Sequence, residues 1–147
     1  MFKSLVCALF LGAAVLPALP EGALPPQGVS DSDSRAVRAV VEAQLKALAA
    51  GDTARAFSHA APAIQQQFQD ATTFDQMVRR SYPMLIRPAS VSFYRPLAGE
   101  NVVVQSVVLR DREGRAWRAD YQLQRQPDRR WRISGCQVVP GDAGSTT

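Results

Sequence analysis

The chain has one histidine, His59, in the stretch "AFSHAAP". An imidazole titrates near neutral pH and can serve as a general base when a partner orients it. The sequence places no such partner beside it, and a position at a helix end ahead of Pro62 equally suits a solvent-facing loop. Asp120 and Tyr121 are the second pair of interest, a carboxylate base next to a phenolic donor. Neighbours on a strand point to opposite faces, so the two cannot enter one cavity together. Asp120 shares its face with Arg118, Gln122 and Gln124, the setting of a solvated cross-strand ion pair. Cys136 stands in "RRWRISGCQVVP". A reactive thiol needs nearby positive charge and exposure. Strict alternation puts Cys136 with Arg130, Arg132, Ser134 and Val138, away from Trp131 and Ile133, unless a bulge at Gly135 reverses the faces. Cys136 is therefore read as a packing residue.

Other chemistries are excluded more simply. One histidine and two cysteines, with Cys7 inside the apolar leader, make no metal cluster at ligand spacing. No phosphate-binding loop, dinucleotide fingerprint, serine-hydrolase elbow or Cys-x-x-Cys occurs, and no cofactor is expected. The net charge is +4, with Lys3 and Lys46 the only lysines. No basic helix, zinc-finger spacing or RNA-binding strand motif accompanies the arginines, so no nucleic acid is expected as partner. Between Arg87 and Arg132 ten arginines stand against five acids, enough for an anion-binding face or an ordinary solvated sheet surface. Phe93, Tyr94, Trp117, Tyr121 and Trp131 all fall in the strand half. They are the candidate lining for a small apolar ligand, or else core.

The elements that must position these residues follow from periodicity. "MFKSLVCALFLGAAVL" has Lys3 and then an apolar run from Leu5 to Leu16. That is short of the ~20 residues a membrane span takes and fits an export signal. The expected organisation is a signal peptide over 1–23, a Pro/Ser-rich linker over 24–34, one domain over 35–140 and a disordered tail over 141–147. The protein is then extracytoplasmic, periplasmic or secreted, with no transmembrane domain after cleavage. "SDSDSRAVRAVVEAQLKALAAGD" reads as a helix with Val37, Val40, Val41, Gln44, Leu45 and Leu48 on one face, stopped by Gly51. Asp52 or Thr53 caps a second helix, Ile64 and Phe68 sit on a short helical turn, and Thr72 or Thr73 caps a third helix ending at Pro83. After Pro88 the period becomes two. "SVSFYRPL", "VVVQSVVLRD", "RAWRADYQLQR" and "WRISGCQVV" read as four antiparallel strands. Helices followed by strands give an α+β fold, with helices on one face of a curved sheet.

In this order the sequence resembles nuclear-transport-factor-2-like domains. The carriers are "VVEAQLKALAAGDTARAFSHAAP" and the closing "RRWRISGCQVV". More narrowly, "FDQMVRRSYPMLIRPASVSFYRP" and "DREGRAWRADYQLQRQPDRRWRISGC" are similar to domain of unknown function 4864. The resemblance spans about residues 35 to 140. It implies a cone whose sheet wraps the helices and leaves a cavity, and homodimers are common among such folds. The leading reading is a non-catalytic module that binds a small apolar ligand or a protein partner. One alternative is an isomerase- or dehydratase-type enzyme with His59 or Asp120 as base and Tyr94 or Tyr121 as donor. Another is an anionic-surface binder using the arginine-rich sheet face.

Overall fold

The computed structural model describes residues 28–141. The export signal, the linker up to residue 27 and the tail from residue 142 lie outside the described residues. Helix α1, Asp31–Ala50, begins where Ser30 Oγ accepts from the Asp33 amide at 3.1 Å. It ends at Gly51, whose φ of 71° closes the last turn through its N–H to Ala47 and Leu48 carbonyls. Val37, Val41, Gln44, Leu45 and Leu48 are buried along one stripe, as the 3.6-residue period requires. Helix α2, Thr53–Ser58, is capped by Asp52, which accepts from the Arg55 amide at 3.1 Å.

Helix α3, Pro62–Phe68, is a full helix where the sequence suggested only a turn. Pro62 presets the first helical φ, and Gln65 Nε2 donates to the carbonyls of Phe57 and Ala60, which ties the helix to the end of α2. Helix α4 spans Ala71–Ser81, and its cap is Asp70 rather than Thr72 or Thr73. The Asp70 carboxylate accepts from the Thr73 amide at 2.7 Å, where its charge also favours the positive helix end. Pro83 follows and opens a short 3₁₀ turn, Pro83–Leu85.

The strands are β1 Ser90–Phe93, β2 Leu97–Ala98, β3 Val103–Arg110, β4 Ala116–Arg125 and β5 Trp131–Pro140. All pairings are antiparallel in the order β1-β3-β4-β5, with β2 also on β3. "SVSFYRPL" is thus two strands and not one, and the sheet has five strands rather than four. The break lies at Tyr94–Pro96. Pro96 has no N–H to give a ladder, and Gln105 Nε2 holds the kink by donating to the Tyr94 carbonyl at 2.7 Å. The expected apolar side of this segment does not form. Val91 and Leu97 are exposed, and only Phe93 is half-buried.

The inner face of the sheet carries Val107, Leu109, Ala119, Tyr121, Leu123 and Ile133, all buried under the helices. Each large apolar side chain fully buried there contributes ~1.5–3 kcal/mol. The outer face remains open, with Arg118 and Gln122 exposed and Val104 and Val108 half-buried.

One irregularity decides what β5 presents. Leu123 pairs with Ile133, but Gln122 pairs with Gly135, so Ser134 is an extra residue in β5. The bulge reverses alternation beyond it. Cys136 lies opposite Tyr121 and Val138 opposite Ala119, and both pack against the core beside Ile133 and Trp131. Regular alternation, which separates Cys136 from Ile133, is overturned. Glycine suits the site, since a Cβ on Gly135 would come within 3.2 Å of Gln122 Oε1.

The β4–β5 turn closes through Gln126 N–H to the Arg130 carbonyl and Arg129 N–H to the Gln126 carbonyl. Arg129 holds φ 68° there, a left-handed conformation that glycine adopts without strain. Arg129→Gly is therefore expected to raise stability by about 1 kcal/mol. A urea midpoint that falls with an unchanged slope would contradict it.

Candidate functional site

Helices α1, α3 and α4 do not close completely on strands β4 and β5. They leave a cavity of about 260 Å³. Gln44 and Leu48 border it from α1, Ile64 and Phe68 from α3, and Phe74, Met77 and Val78 from α4. Tyr121, Ile133 and Cys136 form the sheet side. The Phe57, Phe68 and Phe74 rings meet at 5.4 and 5.7 Å centroid spacing, which stiffens one wall. Gln44 is fixed by donating from Nε2 to the Ala56 carbonyl at 3.3 Å.

Tyr121 is the polar feature of this apolar space. It is 1% exposed, and its hydroxyl makes no well-formed hydrogen bond among the described residues, with only the weakly bonding Cys136 thiol beside it. Burial, with the neighbouring Cys136 adding to it, raises the phenol well above its usual pKa. The hydroxyl therefore remains a proton donor throughout the physiological range. Burial also pushes the Cys136 thiol up to about 12, with the Asp120 charge contributing and the Tyr121 hydroxyl opposing. A thiol so rarely ionised is a poor nucleophile. Cys136 should alkylate with iodoacetamide at least ~100-fold more slowly in the folded protein than in urea. Equal rates would mean an open, reactive thiol.

The other expected site residues do not join Tyr121. His59 caps the end of α2, half-buried and outside the cavity. Asp120 lies on the opposite sheet face from Tyr121. It accepts from Ser106 Oγ at 2.6 Å across the strands and from Arg118 Nε at 3.2 Å. Its ion pair thus runs along one strand, and the cross-strand contact is a hydroxyl. The five aromatics are dispersed. Phe93 carries the Arg38 guanidinium at 4.7 Å from its ring centre, Tyr94 is 59% exposed, and Trp131 lies under Arg125 at 4.9 Å. Trp117 donates from Nε1 to Asp111 at 3.0 Å. No catalytic pair forms in the cavity from the histidine or carboxylate considered.

The arginines likewise do not make one sheet face. Arg118 is mid-strand, Arg110 and Arg125 end strands, and Arg112, Arg115, Arg129 and Arg130 lie in or beside turns. A cleft of about 870 Å³ gathers Arg79, Arg80, Arg87, Arg112 and Arg115 near the ends of α1 and α4. Much of that charge is already committed. Arg79 pairs with Asp75, Arg115 pairs with Asp111 and Glu113, and Arg87 donates to the Ala49 carbonyl at the end of α1.

Asp111, which the sequence did not single out, organises the hairpin below that cleft. It accepts from the Trp117 indole, the Arg115 amide and guanidinium, and the Glu113 amide. The Trp117 bond first, then the Arg115 donors, hold its pKa at about 2 against an ordinary 3.8. Because the folded value is depressed, its contribution to stability is present above 3.8 and is lost as pH falls through about 2.

Among the described residues no cluster of histidine, cysteine and carboxylates has the arrangement of a metal site, and no helix is long and apolar enough to cross a membrane. Residues 30–146 match the family described as a domain of unknown function (DUF4864), and the chain belongs to that family. No curated protein and no solved structure matches the chain.

Proposed function

We propose that this member of the family is an exported binding domain of nuclear-transport-factor-2-like architecture that holds one small, mostly apolar ligand without catalysis. The observation that carries the reading is the apolar cavity itself, with Tyr121 in its wall and the buried Tyr121 hydroxyl offered nothing stronger than the neighbouring Cys136 thiol. A buried polar group left unpaired costs about 1–3 kcal/mol, and a ligand with one acceptor would remove that cost. The volume of about 260 Å³ suits a molecule smaller than the usual drug-sized ligand. The order of helices before an antiparallel sheet supports the cone architecture, and the leader over residues 1–23 supports export to the periplasm or medium.

Acetophenone, an aromatic ring with one carbonyl acceptor, is a suitable probe. Its titration, followed by amide NMR, should shift Gln44, Met77, Tyr121 and Cys136 together and saturably. Shifts confined to the protein surface would overturn the cavity reading.

A further inference from the structure

A second space, of about 420 Å³, lies between α1, the end of α2 and the start of β5. Its walls carry Arg129, Arg130, Arg132, His59 and Trp131, with Val40 from α1 as apolar floor. The lining contains no carboxylate. The backbone fixes its shape. Ile133 donates to the His59 carbonyl at 2.8 Å and accepts from the Ala61 amide at 2.7 Å, so the His59 segment is bridged to β5 beside Arg132. Arg132 also donates to the Ser58 carbonyl.

Two features of this groove are unsatisfied. His59 Nε2 is buried and makes no hydrogen bond among the described residues. Arg129 and Arg130 make no ion pair there either. Solvated turn charges are the ordinary explanation for such arginines. Against it stands the position of Arg129, which keeps a long cationic side chain at φ 68°, where glycine would relax the turn. The larger arginine cleft differs in that Asp111 and Glu113 line it and pair with Arg115, while Arg79 and Arg87 also have partners and only Arg80 and Arg112 have none among the described residues.

Charge sets the ligand class. Three arginines line the groove; Asp128 stands just outside, accepting from the Arg130 amide, and Asp33, which accepts from the Trp131 indole, is paired with the Arg125 that covers the Trp131 ring, so the groove stays net positive. Guanidinium forks recognise planar or tetrahedral oxyanions through paired N–H donors. We propose that this groove binds a soluble phosphate monoester dianion, the phosphate between Arg129, Arg130 and His59 and an apolar or aromatic body against Trp131.

The site carries its own pH dependence. Arg55 from the histidine's own helix, Arg132 from β5, and Arg129 and Arg130 from the turn surround His59 with positive charge, while α1 contributes neutral Ala36 and Val40. Burial first, then Arg55 and Arg132, lower the imidazole pKa. A bound dianion offsets that charge and favours the protonated form of His59. From about pH 8 downward, affinity then rises as the bound imidazole takes up its proton, until the phosphate itself is protonated near pH ~6.

Phenyl phosphate is the probe, titrated calorimetrically and by imidazole NMR across that range. Saturable binding is expected, with the His59 pKa rising by about one unit on binding. The pair Arg129→Gly with Arg130→Ala should weaken binding about tenfold or more without losing the fold, and His59→Gln should weaken it and flatten the pH dependence. Tyr121→Phe should leave phenyl phosphate binding unchanged, which separates this groove from the cavity. Absent saturation, undiminished binding by the arginine variant, or equal affinity for phenyl sulfate would overturn the proposal. So would binding to phosphatidic-acid vesicles with none to phenyl phosphate, which would assign the phosphate to a membrane.

Discussion

Gln105→Glu should destabilise the protein by about 3–5 kcal/mol at neutral pH. Gln105 is fully buried on β3, and its Nε2 donates to the Tyr94 and Ser106 carbonyls at 2.7 and 3.0 Å. A carboxylate there would replace two N–H donors with lone pairs facing two carbonyl oxygens. It would also place a charge at a position that is 0% exposed. The sign of the pH dependence follows. Burial raises the folded pKa of such a glutamic acid above its unfolded value near ~4.3, so the neutral form is favoured on folding. The deficit should therefore shrink as pH falls from about 7.5 toward about 5. Urea titrations at both values measure it. Gln105→Leu supplies the scale for the lost hydrogen bonds alone, about 1–2 kcal/mol. If the glutamate variant is no worse than leucine at neutral pH, the site admits water and the kink at Tyr94 is not held by Gln105.

That residue also shows where sequence reasoning stops. β3 alternates inward as Val103, Gln105, Val107 and Leu109, and a glutamine in that register is a visible signal for a buried polar role. Its partner is the carbonyl of Tyr94, eleven residues away, which no local pattern announces. The same distinction runs through the fold. The α1 stripe, the Gly51 stop and the inward set Ala119, Tyr121 and Leu123 follow from period and turn chemistry alone. The division of "SVSFYRPL" into two strands depends on Pro96, visible in the sequence, and also on a side chain from another strand, which is not. Asp70 prevailed over Thr72 and Thr73 because helix caps compete, and the carboxylate gains from both hydrogen bond and dipole.

The site was legible in the same uneven way. Tyr121 stands out in the sequence by its face on β4, and its place in the cavity depends on that face. Trp117 and Trp131 group with it in the sequence because aromatic residues usually face inward. Their indole N–H groups instead reach the carboxylates of Asp111 and Asp33, which holds them at the margins of the core. Cys136 entered the cavity wall only because Ser134 is an extra residue. Gly135 pointed to a bulge, but which residue stands out depends on pairing with Gln122 and Leu123.

Tyr121→Phe should separate the cost of the cavity from its use. Gln105 and Tyr121 are partners across β3 and β4, and both have a buried polar atom without a hydrogen bond among the described residues. Gln105 offsets its unpaired Oε1 with two donated bonds, whereas the Tyr121 hydroxyl has only the weakly bonding Cys136 thiol beside it in the free protein. Removing that hydroxyl should raise stability by about 1–2 kcal/mol and weaken acetophenone binding about tenfold. Denaturation and titration of the same variant read the two effects, whose opposite signs are the test. A loss of stability together with unchanged affinity would show that the hydroxyl has a partner and that the cavity does not recognise an acceptor. The two proposed sites should also differ in pH response. The raised phenol pKa keeps Tyr121 a donor, so acetophenone affinity should be flat between about pH 6 and 8. Phosphate binding should instead draw the lowered His59 pKa upward, so phenyl phosphate affinity should not be flat across that interval.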